Sequence, residues 1–322
     1  MRRVGLILLI GLLVCACGGE RPAGAATPKL VYVKGREFAG SVYVANADGS
    51  KRRRLARGAF PAISPNGRWV AYVTPALAEL RLISPKGGTF VQTSIDTREL
   101  RDAKFSPNSK LVGVAGRDRL WIHNVITGDT VKTPRGAIQG WSFSPDSKKV
   151  VFAKATVGSD YPAPSDLYSF DIAAKRSTRI GPGLNPVWTP GGIVYDRLAE
   201  MTTGGFPHYE LVRDGQPFVS NPPAADDLTS GLTPVAVSGD RLLAVFEGQS
   251  RNTPYAVESG SARDLGEHDG LVPTGLSRDG TTVLGHTGLS DPTNPHDVVS
   301  LPWGGGAPTV IVKNAIWARW NR

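Results

Sequence analysis

Residues 64–73 read Ser-Pro-Asn-Gly-Arg-Trp-Val-Ala-Tyr-Val, which is a tight turn followed by an apolar strand. Proline presets its own φ, and asparagine and glycine tolerate positive φ, so the first four residues favour a reversal of the chain. The uninterrupted apolar run of residues 70–73 is typical of a buried strand. The segment therefore predicts a β-hairpin whose second strand lies inside the molecule.

The same unit of turn and strand returns along the chain. Each copy begins with a serine or threonine, which we call the anchor; the anchors are Ser64, Ser106, Ser144, Thr189, Ser238 and Ser277. Successive anchors are 42, 38, 45, 49 and 39 residues apart, and a second hairpin turn, such as Lys86-Gly87-Gly88 between Ser64 and Ser106, lies between anchors. A period of about 42 residues with four strands per unit is typical of a propeller blade.

The turns carry a family resemblance. Ser64-Pro65-Asn66-Gly67 and Ser144-Pro145-Asp146-Ser147, each followed by an apolar strand, resemble the repeats of TolB-type propellers, which are relatives of WD-type repeats. The resemblance covers residues 28–322 and is closest for the first four copies. It implies an all-β, β-propeller fold and a secreted bacterial setting, but no single activity.

The two ends of the chain decide the number of blades. Trp320-Asn321 aligns with Trp188-Thr189, and Leu30–Val33 has the character of the strand that follows an anchor turn. Pairing of the N- and C-terminal strands would join them in one blade and remove two unpaired sheet edges, which favour aggregation. We therefore expect seven four-stranded blades, with six as the alternative.

Composition agrees with this fold class. Of 322 residues, 40% are hydrophobic and 20% are charged, a globular balance, and the net charge is +9. The chain has 38 glycines and 25 prolines, which favour many short strands joined by tight turns. Both cysteines precede residue 18, so no disulfide, thiolate metal site or cysteine nucleophile is expected in the body of the chain.

The N-terminus reads as an export signal. Arg2 and Arg3 precede an apolar run at residues 4–14, which is too short to span a bilayer. Val14-Cys15-Ala16-Cys17 resembles a bacterial lipobox, which implies thioether lipidation of Cys17 and removal of residues 1–16. The alternative is an ordinary signal peptide cut near Ala25-Ala26. The expected organisation is a signal peptide at 1–16, a lipidated flexible tether at 17–28 and a propeller domain at 29–322.

The densest group of positive charges is Lys51, Arg52, Arg53 and Arg54 with Arg57. By its place in the repeat it falls on an outermost strand, where lysine and arginine protect a sheet edge. The other interpretation is electrostatic attraction to anionic lipid or to an envelope polymer. Nucleic acid is not an expected partner of an exported protein.

Motifs for catalysis or metal binding are weak, so no catalytic residue, cofactor or metal ligand is predicted. Gly275-Leu276-Ser277-Arg278-Asp279 lacks the last glycine of a nucleophile elbow, and Ser277 is already an anchor. The five histidines form no zinc motif, and Asp226-Asp227 and His296-Asp297 are interpreted as polar residues of loops. The tryptophans could bind sugars, but their equivalent places in the repeats favour a core role; they are Trp69, Trp121, Trp141, Trp188, Trp317 and Trp320.

Two hypotheses about function remain open. The first is a non-catalytic lipoprotein, expected as a monomer, that is anchored on the extracytoplasmic side of a bacterial cell membrane and binds a protein or envelope partner on a propeller face. The second is a secreted propeller enzyme, a hydrolase or lyase of glycans or peptides, with its site at the central channel. A cluster of carboxylates or histidines at the channel would favour the enzyme, and an apolar surface patch would favour the binding protein.

Overall fold

A computed structural model describes residues 29–35, 38–155, 164–201, 205–222, 231–247, 252–266, 271–288 and 296–321. No helix occurs in these ranges, and hence none that is long and apolar enough to cross a membrane. The predicted signal peptide and tether, residues 1–28, lie outside the described residues.

The described chain folds into β-strands that are four to seven residues long in most cases, as its glycine and proline content predicts. In chain order they are β1 Lys29–Lys34, β2 Ser41–Asn46, β3 Arg53–Arg57, β4 Ala59–Ile63, β5 Val70–Val73, β6 Glu79–Ile83, β7 Val91–Asp96, β8 Arg101–Phe105, β9 Leu111–Ala115, β10 Leu120–Asn124, β11 Thr130–Lys132, β12 Ala137–Phe143, β13 Lys149–Ala155, β14 Ser165–Asp171, β15 Arg176–Pro182, β16 Leu184–Thr189, β17 Gly192–Met201, β18 Pro207–Arg213, β19 Gln216–Val219, β20 Gly231–Ser238, β21 Arg241–Glu247, β22 Asn252–Glu258, β23 Ser261–Asp264, β24 Val272–Leu276, β25 Thr282–His286, β26 His296–Pro302 and β27 Thr309–Trp320.

The strands pair in antiparallel groups of four. Strands β4–β7, β8–β11 and β12–β15 form separate four-stranded sheets. Strands β16–β19 and β20–β23 form two such groups, which a single parallel bridge between Tyr209 and Gly231 joins into one larger sheet. The fold is the all-β propeller that the repeats predict.

The termini meet in one sheet. The first half of β27 pairs with β26, and its second half pairs with β1, where Leu30 faces Trp320 and Val33 faces Ile316. Asn321 occupies the anchor position there, and the backbone N–H of Lys29 donates to its side-chain oxygen at 2.7 Å. The expected pairing of the N- and C-terminal strands is therefore present, while the count of seven blades stays a prediction that is tested below.

A shared set of hydrogen bonds explains why the anchor turns recur. The Ser64 hydroxyl donates to the Asn66 side chain at 2.8 Å and accepts from the Trp69 backbone N–H at 2.9 Å. Three other copies make the same pair of bonds; their anchors are Ser106, Ser144 and Ser277. A buried hydroxyl needs such partners, because an unsatisfied one costs free energy.

Neighbouring sheets are joined by packing and by the turns themselves. The Asn66 and Asn108 backbone N–H groups donate to the hydroxyls of Ser109 and Ser147 in the next repeat, at 3.0 and 3.1 Å. Apolar residues of adjacent sheets form shared clusters, and Gly113 leaves the space that the Trp141 ring fills, since a Cβ there would lie 2.5 Å from the ring. The core therefore lies between the sheets.

Two details differ from the sequence-based expectation. Residues 309–312 and 316–321 read as separate strands, but β27 is one strand of 12 residues with a left-handed residue, Asn314 (φ 54°), between its halves. Trp317 and Trp320 are half-buried rather than fully buried, because they lie at the edges of two core clusters.

Candidate functional site

The antiparallel pairing defines two faces of the propeller. The turns between the first and second strands of a sheet lie at the same end as the turns between its third and fourth strands. We call this end, which holds the anchor turns, the turn face. The opposite end is the loop face. The C-terminal ends of β13 and β19, which precede two of the longest connections, lie there.

The first strand of each four-stranded group is the innermost one, and its pairing with the second strand is irregular near the same position, four residues before the anchor. In five of them the residue there has positive φ, between 44° and 107°; these residues are Phe60, Asp102, Gly140, Asn185 and Trp317. One extra residue is inserted into each of these strands, which makes a β-bulge. Bulges redirect side chains and are common next to binding and active sites.

Charged side chains meet in the central channel. The Asp102 carboxylate on β8 lies 2.9 Å from the Lys104 ammonium and 3.6 Å from the Arg319 guanidinium on β27. Arg319 also donates to the Thr274 carbonyl on β24 at 2.8 Å, and Lys104 donates to the Trp141 carbonyl on β12 at 2.7 Å. Since these four innermost strands belong to different blades, the group spans the channel. We call Asp102, Lys104 and Arg319 the channel triad.

The channel triad holds its carboxylate ionised. Partial burial alone would raise the pKa of Asp102, but the charges of Lys104 and Arg319 outweigh it, and the pKa is lowered. The three side chains are 30–36% exposed, so solutes can reach them. With two cations to one anion, the triad has a positive surplus and can attract a carboxylate or another anion.

An aromatic group lies beside the triad. The rings of Phe60 and Trp317 are 4.3 Å apart, and Phe38, from the β1–β2 connection at the loop face, lies 5.7 Å from Trp317. Phe38 is 39% exposed. Partly exposed aromatic rings in contact are typical of binding surfaces, because each ring buries a large area with few rotatable bonds.

The structure separates the basic run of residues 51–57. Strand β3 is the edge strand of its sheet, as predicted, and all five cations are exposed. Lys51 and Arg53 line a cleft shared with the next sheet, whereas Arg52 turns the other way and donates to the Gly49 carbonyl at 2.7 Å. Arg57 reaches the Ala39 carbonyl at 3.5 Å, and Arg54 pairs with Tyr43 in the β2–β3 ladder. The run is thus not one patch.

The histidines do not assemble into a metal site among the described residues, in which no three His, Cys, Asp or Glu side chains lie together. His286 and His296 are stacked with ring centroids 5.5 Å apart. Burial, the neighbouring His296 and the Arg319 charge lower the pKa of His286 to about 4. His208 contacts the Asn221 amide at 3.1 Å, which is a local structural contact.

The remaining sequence candidates have structural roles or lie outside the described residues. Ser277 is an anchor, bonded to Asp279 at 2.6 Å. The tryptophans pack against core clusters rather than forming a sugar platform. Cys17, Asp226, Asp227 and His268 are outside the described residues.

Sequence reasoning missed the channel triad because its members are separated by up to 217 positions and match no local motif. A signal was nonetheless present. Asp102 and Lys104 stand four and two residues before the anchor Ser106, and Arg319 stands two before Asn321. Charges at those places in innermost strands indicate a polar channel.

Comparisons with known proteins agree with the fold. No protein-family model matches the chain, and no curated protein matches it. Among solved structures, the β-propeller domain of the Trilobed protease from Pyrococcus furiosus, described as having an open velcro topology, is similar over 90% of this chain and 96% of that chain, with a TM-score of 0.64 and 13% identity.

Two further structures match at similar levels. TolB from Acinetobacter baumannii has a TM-score of 0.51 and 13% identity over 90% of this chain and 81% of its own. An oligogalacturonate lyase in complex with manganese has a TM-score of 0.59 and 13% identity over 90% of this chain and 86% of its own. At these identities the likeness extends to the fold, and this chain shares the β-propeller fold with all three.

Proposed function

We propose that this chain is a membrane-anchored, non-catalytic binding scaffold on the extracytoplasmic side of a bacterial cell. Lipid on Cys17 attaches it to the membrane, and the loop face binds a protein or an envelope polymer. The lipobox at residues 14–17 supports the attachment. The likeness in fold to TolB and other propellers fits this setting.

The observation that carries the proposal is where the chain enters the propeller. Lys29 begins β1, which pairs with the last strand at Asn321, so the residue after the tether lies at the turn face. The loop face is the opposite end of every sheet. An anchor at Cys17 therefore leaves the loop face directed away from the membrane, where a partner can reach it.

The aromatic rings at residues 38, 60 and 317, together with the channel triad, supply a contact surface for that partner. Phe38 offers exposed aromatic area, and the channel triad adds a surplus positive charge close by. An acidic segment with an apolar side chain, or an acidic polymer, would match both features.

Membrane attachment is tested with Cys17→Ser and the matched variant Cys15→Ser. Fractionation after palmitate labelling should show the Cys17 variant released and unlabelled, and the Cys15 variant still bound and labelled. Equal labelling of the two variants would contradict the attachment.

Partner binding is tested by crosslinking in the envelope with Phe38→Ser. Ile126→Ser is the control, because Ile126 is 73% exposed but lies at the turn face. Loss of the crosslinked product in the Phe38 variant alone supports the proposal, and equal yields from both variants would contradict it.

The alternative is an enzyme acting on an anionic substrate at the channel. The positive surplus of the channel triad favours such a substrate, and one structural neighbour is a lyase named for oligogalacturonate. Turnover of oligogalacturonate by the wild-type protein that is lost in Asp102→Asn would support the enzyme over the scaffold.

A further inference from the structure

The cleft at the start of β1 is unusually rich in positive charge. It lies on the turn face between the sheet of β1–β3 and the sheet of β4–β7, and its volume is 490 Å³. Its five charged residues are all cations: Lys29, Lys51, Arg53, Arg68 and Lys86. We call this the basic cleft.

These cations are not neutralised by acidic side chains of the described chain. None of the five forms an ion pair with a described residue, although Arg53 donates a hydrogen bond to the Lys86 carbonyl. The exposed carboxylate of Asp48, which accepts the backbone N–H of Ser50 at 2.9 Å, interacts with the charge of Lys51 and therefore offsets at most one of the five positive charges. Folding therefore gathers five positively charged side chains around one cleft, which favours the binding of an anion there.

The rest of the lining suits a small headgroup. Val44 and Ala45 form an apolar wall, and both are at most 5% exposed. The Ser84 hydroxyl accepts the Lys86 backbone N–H at 3.1 Å, which leaves its own hydrogen free to donate. Lysine and arginine donors around an apolar wall match a phosphate ester, and the volume is in the range of about 300–1,000 Å³ that is usual for ligand sites.

The position of the cleft favours a lipid headgroup over a soluble phosphate compound. Lys29 is a wall of the cleft and is also the first residue after the tether. Twelve positions separate Cys17 from Lys29, and a chain of that many residues spans about 40 Å at most. A lipidated Cys17 would thus keep the cleft close to the headgroups of the membrane, where an anionic surface attracts cations.

We propose that the basic cleft binds the phosphate headgroup of an anionic lipid, so that the turn face rests on the membrane and the loop face points away from it. This inference rests on the proposed attachment through Cys17 for the choice of a lipid over a soluble phosphate. The cleft would be a second membrane contact beside the acyl chains, and it would fix which face of the propeller lies against the membrane.

The test uses the full chain carrying Cys17→Ser, so that binding cannot come from lipid on the protein. The cleft variant adds Lys51→Asn, Arg68→Ser and Lys86→Ser; Asn suits the positive φ of residue 51. The matched control adds Lys110→Ser, Lys148→Ser and Lys149→Ser, which remove the same charge from exposed positions around other anchor turns of the turn face. Melting curves check that both variants are folded.

Binding is measured by sedimentation with vesicles of phosphatidylcholine and phosphatidylglycerol at about 3:1, a composition that makes the surface anionic. Vesicles of phosphatidylcholine alone report any binding through the apolar residues 4–14, which all variants share. We expect the cleft variant to bind the anionic vesicles at least about tenfold more weakly than the parent, and the control to stay within about threefold of it. Inorganic phosphate should displace the parent more effectively than chloride of equal ionic strength.

Three results would overturn the proposal. Equal losses in the two variants would show attraction by net charge alone, and no loss in the cleft variant would show that the cleft is not used. Inorganic phosphate binding that the cleft variant loses, without vesicle binding by the parent, would assign the cleft to a soluble phosphate. Since every arm lacks Cys17, failure of lipidation changes none of these results.

Discussion

Deleting residues 315–322 removes the half of β27 that pairs with β1, and we expect it to leave little folded protein. The deleted segment contains three buried apolar side chains, Ala315, Ile316 and Ala318, which are at most 6% exposed, and the buried Asn321 that accepts the Lys29 N–H. Removal of a buried isoleucine side chain costs about 2–5 kcal/mol, and a fully buried tryptophan costs about 3–5 kcal/mol. If each half-buried tryptophan contributes about half of that cost, the deletion lowers the free energy of unfolding by about 5–10 kcal/mol in total. The net stability of a domain is only about 5–15 kcal/mol.

Urea unfolding of the full chain with Cys17→Ser, with and without these eight residues, measures the effect. Ile316→Ala should lower the free energy of unfolding by about 2–5 kcal/mol. Val310→Ala is its control in the same strand, because Val310 is 45% exposed, and should change it by less than about 0.5 kcal/mol. An unfolding midpoint that the deletion leaves unaltered would refute the ring closure and, with it, the seven-blade count.

Three further predictions concern charged groups. The pKa of His286 is lowered from 6.5 to about 4, so on acidification the unfolded state binds a proton at a higher pH than the folded state does. Protonation therefore favours unfolding. As the pH falls from 6.5 to 4, the free energy of unfolding should drop by about 2–3 kcal/mol more in the wild type than in His286→Gln. Changing Lys51, Arg52 and Arg53 together to Ser should change stability by no more than about 1–2 kcal/mol, since all three are exposed. Asp102→Asn should cost about 1 kcal/mol at low salt and less at high salt, because it removes the negative charge that attracts Lys104 and Arg319 in a partly exposed channel.

Each of these predictions has a contrary outcome that the same urea titrations would show. Parallel pH curves for wild-type protein and His286→Gln would mean that this imidazole is not buried as described. A collapsed transition in the triple Ser variant would make the basic run part of the fold. An effect of Asp102→Asn that is the same at all salt concentrations would mean that its role is packing rather than charge.

The sequence predicted the scaffold well because its signals are local. Ser64, Pro65 and Asn66 specify a turn within a few residues, and four anchors make the same hydrogen bonds. The alignment of Trp320-Asn321 with an anchor also predicted the pairing of the termini, where Asn321 takes the place of a serine.

The candidate sites were less predictable because folding brings distant residues together. Arg319 reaches Asp102 across the channel, and Lys29 and Lys86, which belong to two different sheets, line the same cleft. The bulges that hold Phe60 and Trp317 at positive φ have no local signal either, since neither residue type favours that conformation. Only the equivalent Asp102, Gly140 and Asn185 suggest it from their residue types.

The central claim is that Cys17 attaches this propeller to a membrane, and the mass of the N-terminal peptide tests it most directly. The protein is isolated from its native envelope and digested, and the N-terminal peptide is identified by mass spectrometry. The account predicts a peptide that begins at Cys17 and carries a diacylglycerol thioether. An unmodified peptide that begins near Ala26, or a retained residue 1, would contradict it.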